Sequence, residues 1–140
     1  MTVINEFQNE YRWLSNFWPV QITFGGITYP HVEGAYMAMK TKDLEERKKI
    51  ALISNPAQAK RAGRALKVRE DWDKVKVSAM YTMLKLKFAP GSELATRLLN
   101  TGDALLIEGN KWGDTFWGVC NGRGRNTLGK LLMKVREELK

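Results

Sequence analysis

The sequence predicts a single, mostly helical α+β domain with a few short strands, spanning residues 1–140. Three observations lead there. The chain has 140 residues, of which 44% are apolar, which suits one domain with one sizeable core. Two β-rich runs near the N-terminus are split by Gly25-Gly26, a two-residue hairpin signal. Most of the chain beyond Pro30 repeats apolar residues at three- and four-residue spacing, the period of helices.

The hairpin strands are residues 20–24 and 27–29, with Pro30 ending the second. Residues 32–41, rich in Ala and Met, read as a helix, and residues 43–53 as a second with its charges on one side. Ser54-Asn55-Pro56 opens a third helix reaching about residue 66, since a polar cap precedes Pro in the first turn. The longest periodic segment is residues 70–88, where Trp72, Val75, Ala79, Met83 and Leu86 form one apolar stripe. Pro90-Gly91 ends it. Ser92 caps a short helix to Asn100, with Gly102 as its stop. Residues 104–107 and 115–119 read as strands. Asn126 caps a last helix that buries Leu128, Leu131, Leu132, Val135 and Leu139.

Composition excludes several classes of chemistry. One cysteine, Cys120, rules out an internal disulfide, and one histidine, His31, argues against a His/Cys zinc site. His31 reads as a helix-entry residue rather than the partner of a Cys120 nucleophile. The N-terminus lacks the basic start and apolar run of a signal peptide. No apolar run approaches the ~20 residues that span a bilayer, so a cytoplasmic protein without membrane contact is expected. The net charge of +8 is confined. Residues 40–90 hold fourteen Lys and Arg against six acids, mostly on helices whose charges read as a solvated face.

Two irregular regions carry candidate chemistry. In the first, Tyr11, Trp13, Phe17 and Trp18 fall within eight residues around Asn16. Trp13 and Trp18 suit either the core or a pocket wall that stacks on a base, and a buried Asn16 amide needs partners. The second runs from Trp112 to Gly129, with Trp117-Gly118 and Gly122-Arg123-Gly124-Arg125-Asn126 leading into a helix. Free N–H groups there, beside Arg123 and Arg125, suit a phosphate, although a capped turn explains the pattern as well. Glu33 falls in a first helical turn, where an acid complements the dipole. Lys40 lies two turns on and shares its face. The two are either a surface ion pair or, if that face lines a pocket, a carboxylate with an adjacent cation.

Four segments in this order resemble the NADAR family, the YbiA-like N-glycosidases. They are Leu14-Ser15-Asn16-Phe17; Tyr29-Pro30-x-Val32-Glu33 with Tyr36 and Lys40; Trp72-Asp73 with Lys76 and Met80; and Asp114-x-x-Trp117-Gly118 with Gly124-x-Asn126-x-Leu128-Gly129 and Leu132-Met133-x-Val135-Arg136. The resemblance implies a small α+β domain that cleaves the N-glycosidic bond of phosphoribosylamino-pyrimidines or ADP-ribosylated bases without metal or organic cofactor. It implies Glu33 and Asp114 as the family's acids, Lys40 and Lys76 as its lysines, and Trp117, Gly118 and Asn126 as its glycine-rich element. The family commonly carries His after the glutamate and Gln three residues further. Here Gly34 and Met37 stand there, and Cys120 stands where glycine is usual.

The expected chemistry is set by the bond broken. Losing the base builds oxocarbenium-like charge at ribose C1, which a carboxylate at the sugar face stabilises. Glu33 and Asp114 divide that role with water activation, hydroxyl binding and protonation of the leaving nitrogen. Lys40 or Lys76 binds phosphate or attacks an opened sugar aldehyde. Asn16, Trp18, Trp117, Gly118, Arg123, Arg125 and Asn126 form the expected substrate contacts, with the tryptophans on the base and the arginines on phosphate. The expected partner is a small ribosyl phosphate or ADP-ribosyl compound, with ADP-ribosylated nucleic acid as a further candidate. The alternative is a non-catalytic nucleotide, ADP-ribose or nucleic-acid binding protein using the basic surface. The sequence assigns no oligomeric state.

Overall fold

The computed structural model describes residues 2–140. In chain order its elements are β1 (Val3–Ile4), a 3₁₀ helix (Asn9–Leu14), β2 (Pro19–Phe24), β3 (Ile27–His31), α1 (Val32–Ala38), α2 (Leu44–Ala51), α3 (Pro56–Arg64), α4 (Trp72–Lys87), α5 (Glu93–Asn100), β4 (Leu105–Leu106), β5 (Gly109–Asn110), β6 (Val119–Cys120) and α6 (Thr127–Glu138). This is the α+β, mostly helical class the sequence predicts. The chain divides into a hairpin unit, Asn16–Lys87, and a terminal unit made of the residues up to Ser15 with Phe88–Lys140. No helix among the described residues is long and apolar enough to cross a membrane.

In the hairpin unit, β2 and β3 pair antiparallel with Ile22 opposite Tyr29 and Phe24 opposite Ile27. Gly25 and Gly26 both have positive φ, +60° and +79°, as a type I′ turn requires. Pro30 does not end the strand. Pairing resumes at Pro19 and His31 after a bulge, and an irregular register is where a residue without N–H is tolerated. β3 runs directly into α1, all seven residues of which are buried. α1 stops at Ala38, three residues short of the expected end, because the Met39–Thr41 N–H groups close a tighter turn on Tyr36, Met37 and Ala38. Asp43 caps α2 and Asn55 caps α3, each accepting two backbone N–H groups.

α4 faces differently from the stripe its sequence suggests. Its buried residues are Met80, Met83, Leu84 and Lys87, while Leu86 is exposed. The apolar positions fit two adjacent faces, and tertiary packing selects the one that includes a lysine. Lys87 is 2% exposed, and burial pulls its pKa to about 7.

In the terminal unit, two short parallel pairs, β1 with β4 and β5 with β6, carry the sheet structure. The strand expected at residues 115–119 is confined to Val119–Cys120, and Gly109–Asn110 is a strand the periodicity does not reveal. Ser92 caps α5 and Gly102 lies just beyond it with φ +63°. Trp13 is core rather than pocket wall: it is buried edge-on to Phe88, ring centroids 6.3 Å apart. α6 buries Leu128, Leu132 and Val135, with Gly129 and Arg136 in place of the expected Leu131 and Leu139. Arg136 is tolerated because its Nη1 donates to Thr101 Oγ1 at 2.9 Å.

Lys87 makes a prediction about pH. The unfolded chain binds a proton at this lysine below pH 10.5, the folded chain only below about 7. Stability therefore rises with pH across that window. In urea titrations the wild type gains up to about 5 kcal/mol more than Lys87→Met between those limits. Parallel pH profiles for the two chains contradict the assignment.

Candidate active site

Within the hairpin unit, Glu33 lies in the first turn of α1 and is 6% exposed. Two neighbouring groups fix that turn. The Glu33 backbone N–H donates to Asn16 O at 3.1 Å. The Gly34 N–H donates to His31 Nδ1 at 2.9 Å, so His31 caps the helix in its neutral form. Burial lowers the His31 pKa, which favours that form. Finally, Asn16 directs its amide at Met80, Nδ2 to Sδ 3.6 Å, while its Oδ1 is buried without a hydrogen-bond partner among the described residues.

The two departures from the family pattern have steric reasons. A Cβ at position 34 would lie 3.0 Å from His31 Cε1 and 3.1 Å from Nδ1, so Gly34 leaves room for the capping imidazole. Met37 fills the opposite gap. A Cβ at Gly63 of α3 would meet Met37 Cβ and Cγ at 2.7 Å, and its Sδ closer still. α1 and α3 thus approach through a Met-on-Gly contact.

Lys40 succeeds α1 in its closing turn. Burial is the largest influence on its ammonium and holds the pKa below the ordinary lysine value; Arg64 and Lys60 push the same way and Glu33 opposes them. Glu33 and Lys40 are therefore electrostatic neighbours, as their spacing predicts. On α4, Trp72, Lys76 and Met80 recur at four-residue intervals and form one row. Trp72 packs on Tyr36 of α1 with ring centroids 5.2 Å apart, and Met80 meets Asn16. Lys76 sits between those contacts, mostly buried, 3.6 Å from the exposed Asp73 carboxylate. Trp18 is half-buried where the chain enters β2.

The remaining expected residues belong to the terminal unit, and several have structural work there. Asp114 Oδ1 accepts the Phe116 and Trp117 N–H groups at 3.1 and 2.9 Å, making a tight side-chain turn. Asn110 brackets that turn, accepting the Asp114 N–H and donating to the Asp114 carbonyl and to Glu108 Oε2. Gly118 lies where a Cβ would collide with Glu108 and Asn110. Asn126 does not cap α6. It adopts left-handed backbone, φ 52° and ψ 40°, and its amide instead accepts the Glu108 N–H and donates to Leu106 O at 3.0 and 2.8 Å. The hydrogen bonds that join β4 to α6 take up both ends of the amide that the sequence reading gives to ligand.

Trp117 is half-buried and edge-on to Phe116, and the Arg125 guanidinium lies 5.6 Å from the Phe116 ring centroid. Arg123 is exposed in the Asn121-Gly122 turn, where both φ values are positive. Glu108 and Asn110 are the residues that sequence reasoning missed. Glu108-Gly109-Asn110 directly after the apolar run 104–107 was the available signal. An open cleft of about 560 Å³ lies elsewhere in the hairpin unit, lined by Thr41–Asp43 and Lys67–Asp71, and contains none of the expected residues.

The NADAR domain family matches residues 4–140. The chain belongs to that family. N-glycosidase YbiA of Escherichia coli is 37% identical, covering 99% of this chain and 89% of its own length. Riboflavin biosynthesis protein VVA0006 of Vibrio vulnificus is 39% identical over 96% of this chain, which spans only 37% of that protein. The NMR structure of E. coli YbiA superposes with a TM-score of 0.87 at 37% identity, covering 99% of this chain and 84% of the other. N-glycosidase activity is the enzyme class these likenesses support.

The Met37–Gly63 contact is testable by a double-mutant cycle. Gly63→Ala overpacks the α1–α3 contact and lowers stability by about 1–3 kcal/mol, despite the better helix propensity of alanine. In a Met37→Gly background the same change is neutral or stabilising, because the Cβ, Cγ and Sδ that it would meet are gone. Equal costs in both backgrounds, measured by urea denaturation, contradict the packing described.

Proposed function

We propose that the chain hydrolyses the bond between C1 of a phosphorylated ribose and the nitrogen of a pyrimidine amine or nucleobase. One observation carries this reading: the buried Glu33 carboxylate, held in a capped first turn with the Lys40 ammonium as electrostatic neighbour. As the C1–N bond lengthens, its electron pair leaves with the nitrogen and positive charge grows at C1. A carboxylate fixed in a poorly solvated position stabilises that charge without reorganising.

Water then completes the exchange. A molecule hydrogen-bonded to Glu33 attacks C1 and passes one proton to the carboxylate as the C–O bond forms. The leaving nitrogen takes a proton from solvent, and Glu33 later returns its own. The products are the free ribose hemiacetal and the free amine or base. Asn16 Oδ1, a buried acceptor beside this turn, suits a ribose hydroxyl. Lys40 provides the opposite charge next to Glu33, and Trp18 offers a face for the leaving ring. Family membership supports the reaction class; the ribosyl substrates and the carboxylate mechanism are the proposal.

The test is mass-spectrometric detection of released ribose phosphate or ADP-ribose from a panel of phosphoribosylamino-pyrimidines and ADP-ribosylated nucleobases. The wild type is expected to release product from one class. Glu33→Gln, with an unchanged melting temperature, is expected to lower kcat at least ~100-fold. Equal release by the variant removes Glu33 from the chemistry, and wild-type binding without any release leaves a ligand-binding protein instead.

A further inference from the structure

We infer that Lys60 and Arg64 of α3, together with Lys40, form the subsite that takes the phosphate of the substrate. The first observation is packing. Ala59 and Gly63 are the buried residues of α3, and Gly63 receives Met37 of α1. Lys60 and Arg64 each stand one residue beyond a buried position and four apart, so they form a row along the edge of that contact. Lys40 is three residues beyond Met37, at the end of the facing segment. Lys60 is half-buried, and Arg64 is exposed.

Charge pairing is the second observation. Six of the fourteen cations of residues 40–90 are engaged: Lys48 with Glu45, Lys49 with Glu46, Arg69 with Asp71, Lys76 with Asp73, Arg47 with the Thr41 carbonyl and Lys85 over the Tyr81 ring. Lys60 and Arg64 make no side-chain hydrogen bond or ion pair among the described residues. They and Glu33 are the charged groups near enough to Lys40 to bear on its titration. Lys60 and Arg64 therefore add like charge beside Lys40, with no acid on α3 to balance them.

Like charges held together repel, and a multiply charged anion relieves that cost. Arg64 offers a guanidinium fork suited to two phosphate oxygens, and Lys60 and Lys40 offer point charges. The chemical class is a phosphate ester: the 5-phosphate of a ribosylamine or the diphosphate of an ADP-ribosyl group. Glu33 then faces C1 from one side of Lys40 while the phosphate lies on the other. This inference rests on the assignment of Glu33 to C1, but its test does not need turnover.

The experiment is calorimetry of the wild type and of Lys60→Gln, Arg64→Gln and the double variant, each with ribose 5-phosphate, ADP-ribose and unphosphorylated ribose. Each single variant is expected to bind the phosphorylated ligands at least 10-fold more weakly, and the double variant more weakly still. Ribose binding and melting temperature stay unchanged, and Arg64→Lys recovers part of the loss. The larger loss falls on whichever phosphorylated ligand is the better fit. Arg61→Gln, an equal change of charge on the same helix, is expected to have no effect. Unchanged affinity in the double variant, or an equal loss in Arg61→Gln, overturns the subsite. If no ribosyl compound is turned over but the binding losses hold, the hydrolase reading fails and the subsite stands.

Discussion

The hairpin unit is organised around one costly placement, a carboxylate inside a helix whose seven residues are all buried. A buried charge persists only with hydrogen bonds or opposite charge close by. Lys40, which closes the segment, supplies the opposite charge. The backbone of the turn is fixed separately: Asn16 O takes the Glu33 N–H and His31 takes the Gly34 N–H. The rest of the unit is arranged around that turn. β3 delivers His31 at the end of a strand, α3 brings a glycine beneath Met37, and α4 presents Trp72 to Tyr36. The small residues Gly34, Ala35 and Ala38 let these elements close on a helix of only seven residues.

The terminal unit solves a different problem, a glycine-rich turn that must hold its shape. Asp114, Asn110 and Asn126 satisfy backbone groups that no regular ladder pairs. Gly118, Gly124 and Gly129 are present because backbone or side-chain atoms occupy the places of their Cβ atoms. Polar residues that look like ligand contacts in the sequence are in part the internal scaffold of that turn. Arg123 and Arg125 are exposed, and Trp117 is half-buried.

What the sequence revealed depended on whether the cause was local. The Gly25-Gly26 hairpin and the caps at Asn55 and Ser92 are decided within four residues, and each is found where its pattern lies. Glu33 and Lys40 were legible for the same reason, since seven residues of near-helical chain bring them to one side. The misread features depend on distant partners. Burial of Lys87 rather than Leu86, the early end of α1 and the turned amide of Asn126 are set by what packs against them. Lys60 and Arg64 gave no signal of their own. Only the seating of Met37 on Gly63 brings their row to Lys40. Gly34 and Met37, departures from the family pattern, become intelligible as the partners of His31 and Gly63.

Both proposals require ligand to bind at the α1 face bearing Glu33, and not in the open cleft lined by Thr41–Asp43 and Lys67–Asp71. Amide chemical-shift perturbation of the full chain, on titration with ribose 5-phosphate, separates the two places directly. The largest shifts are expected at Asn16, Glu33, Lys40, Lys60 and Arg64. Shifts concentrated at Thr41–Asp43 and Lys67–Asp71, which line the open cleft, would contradict binding at Glu33.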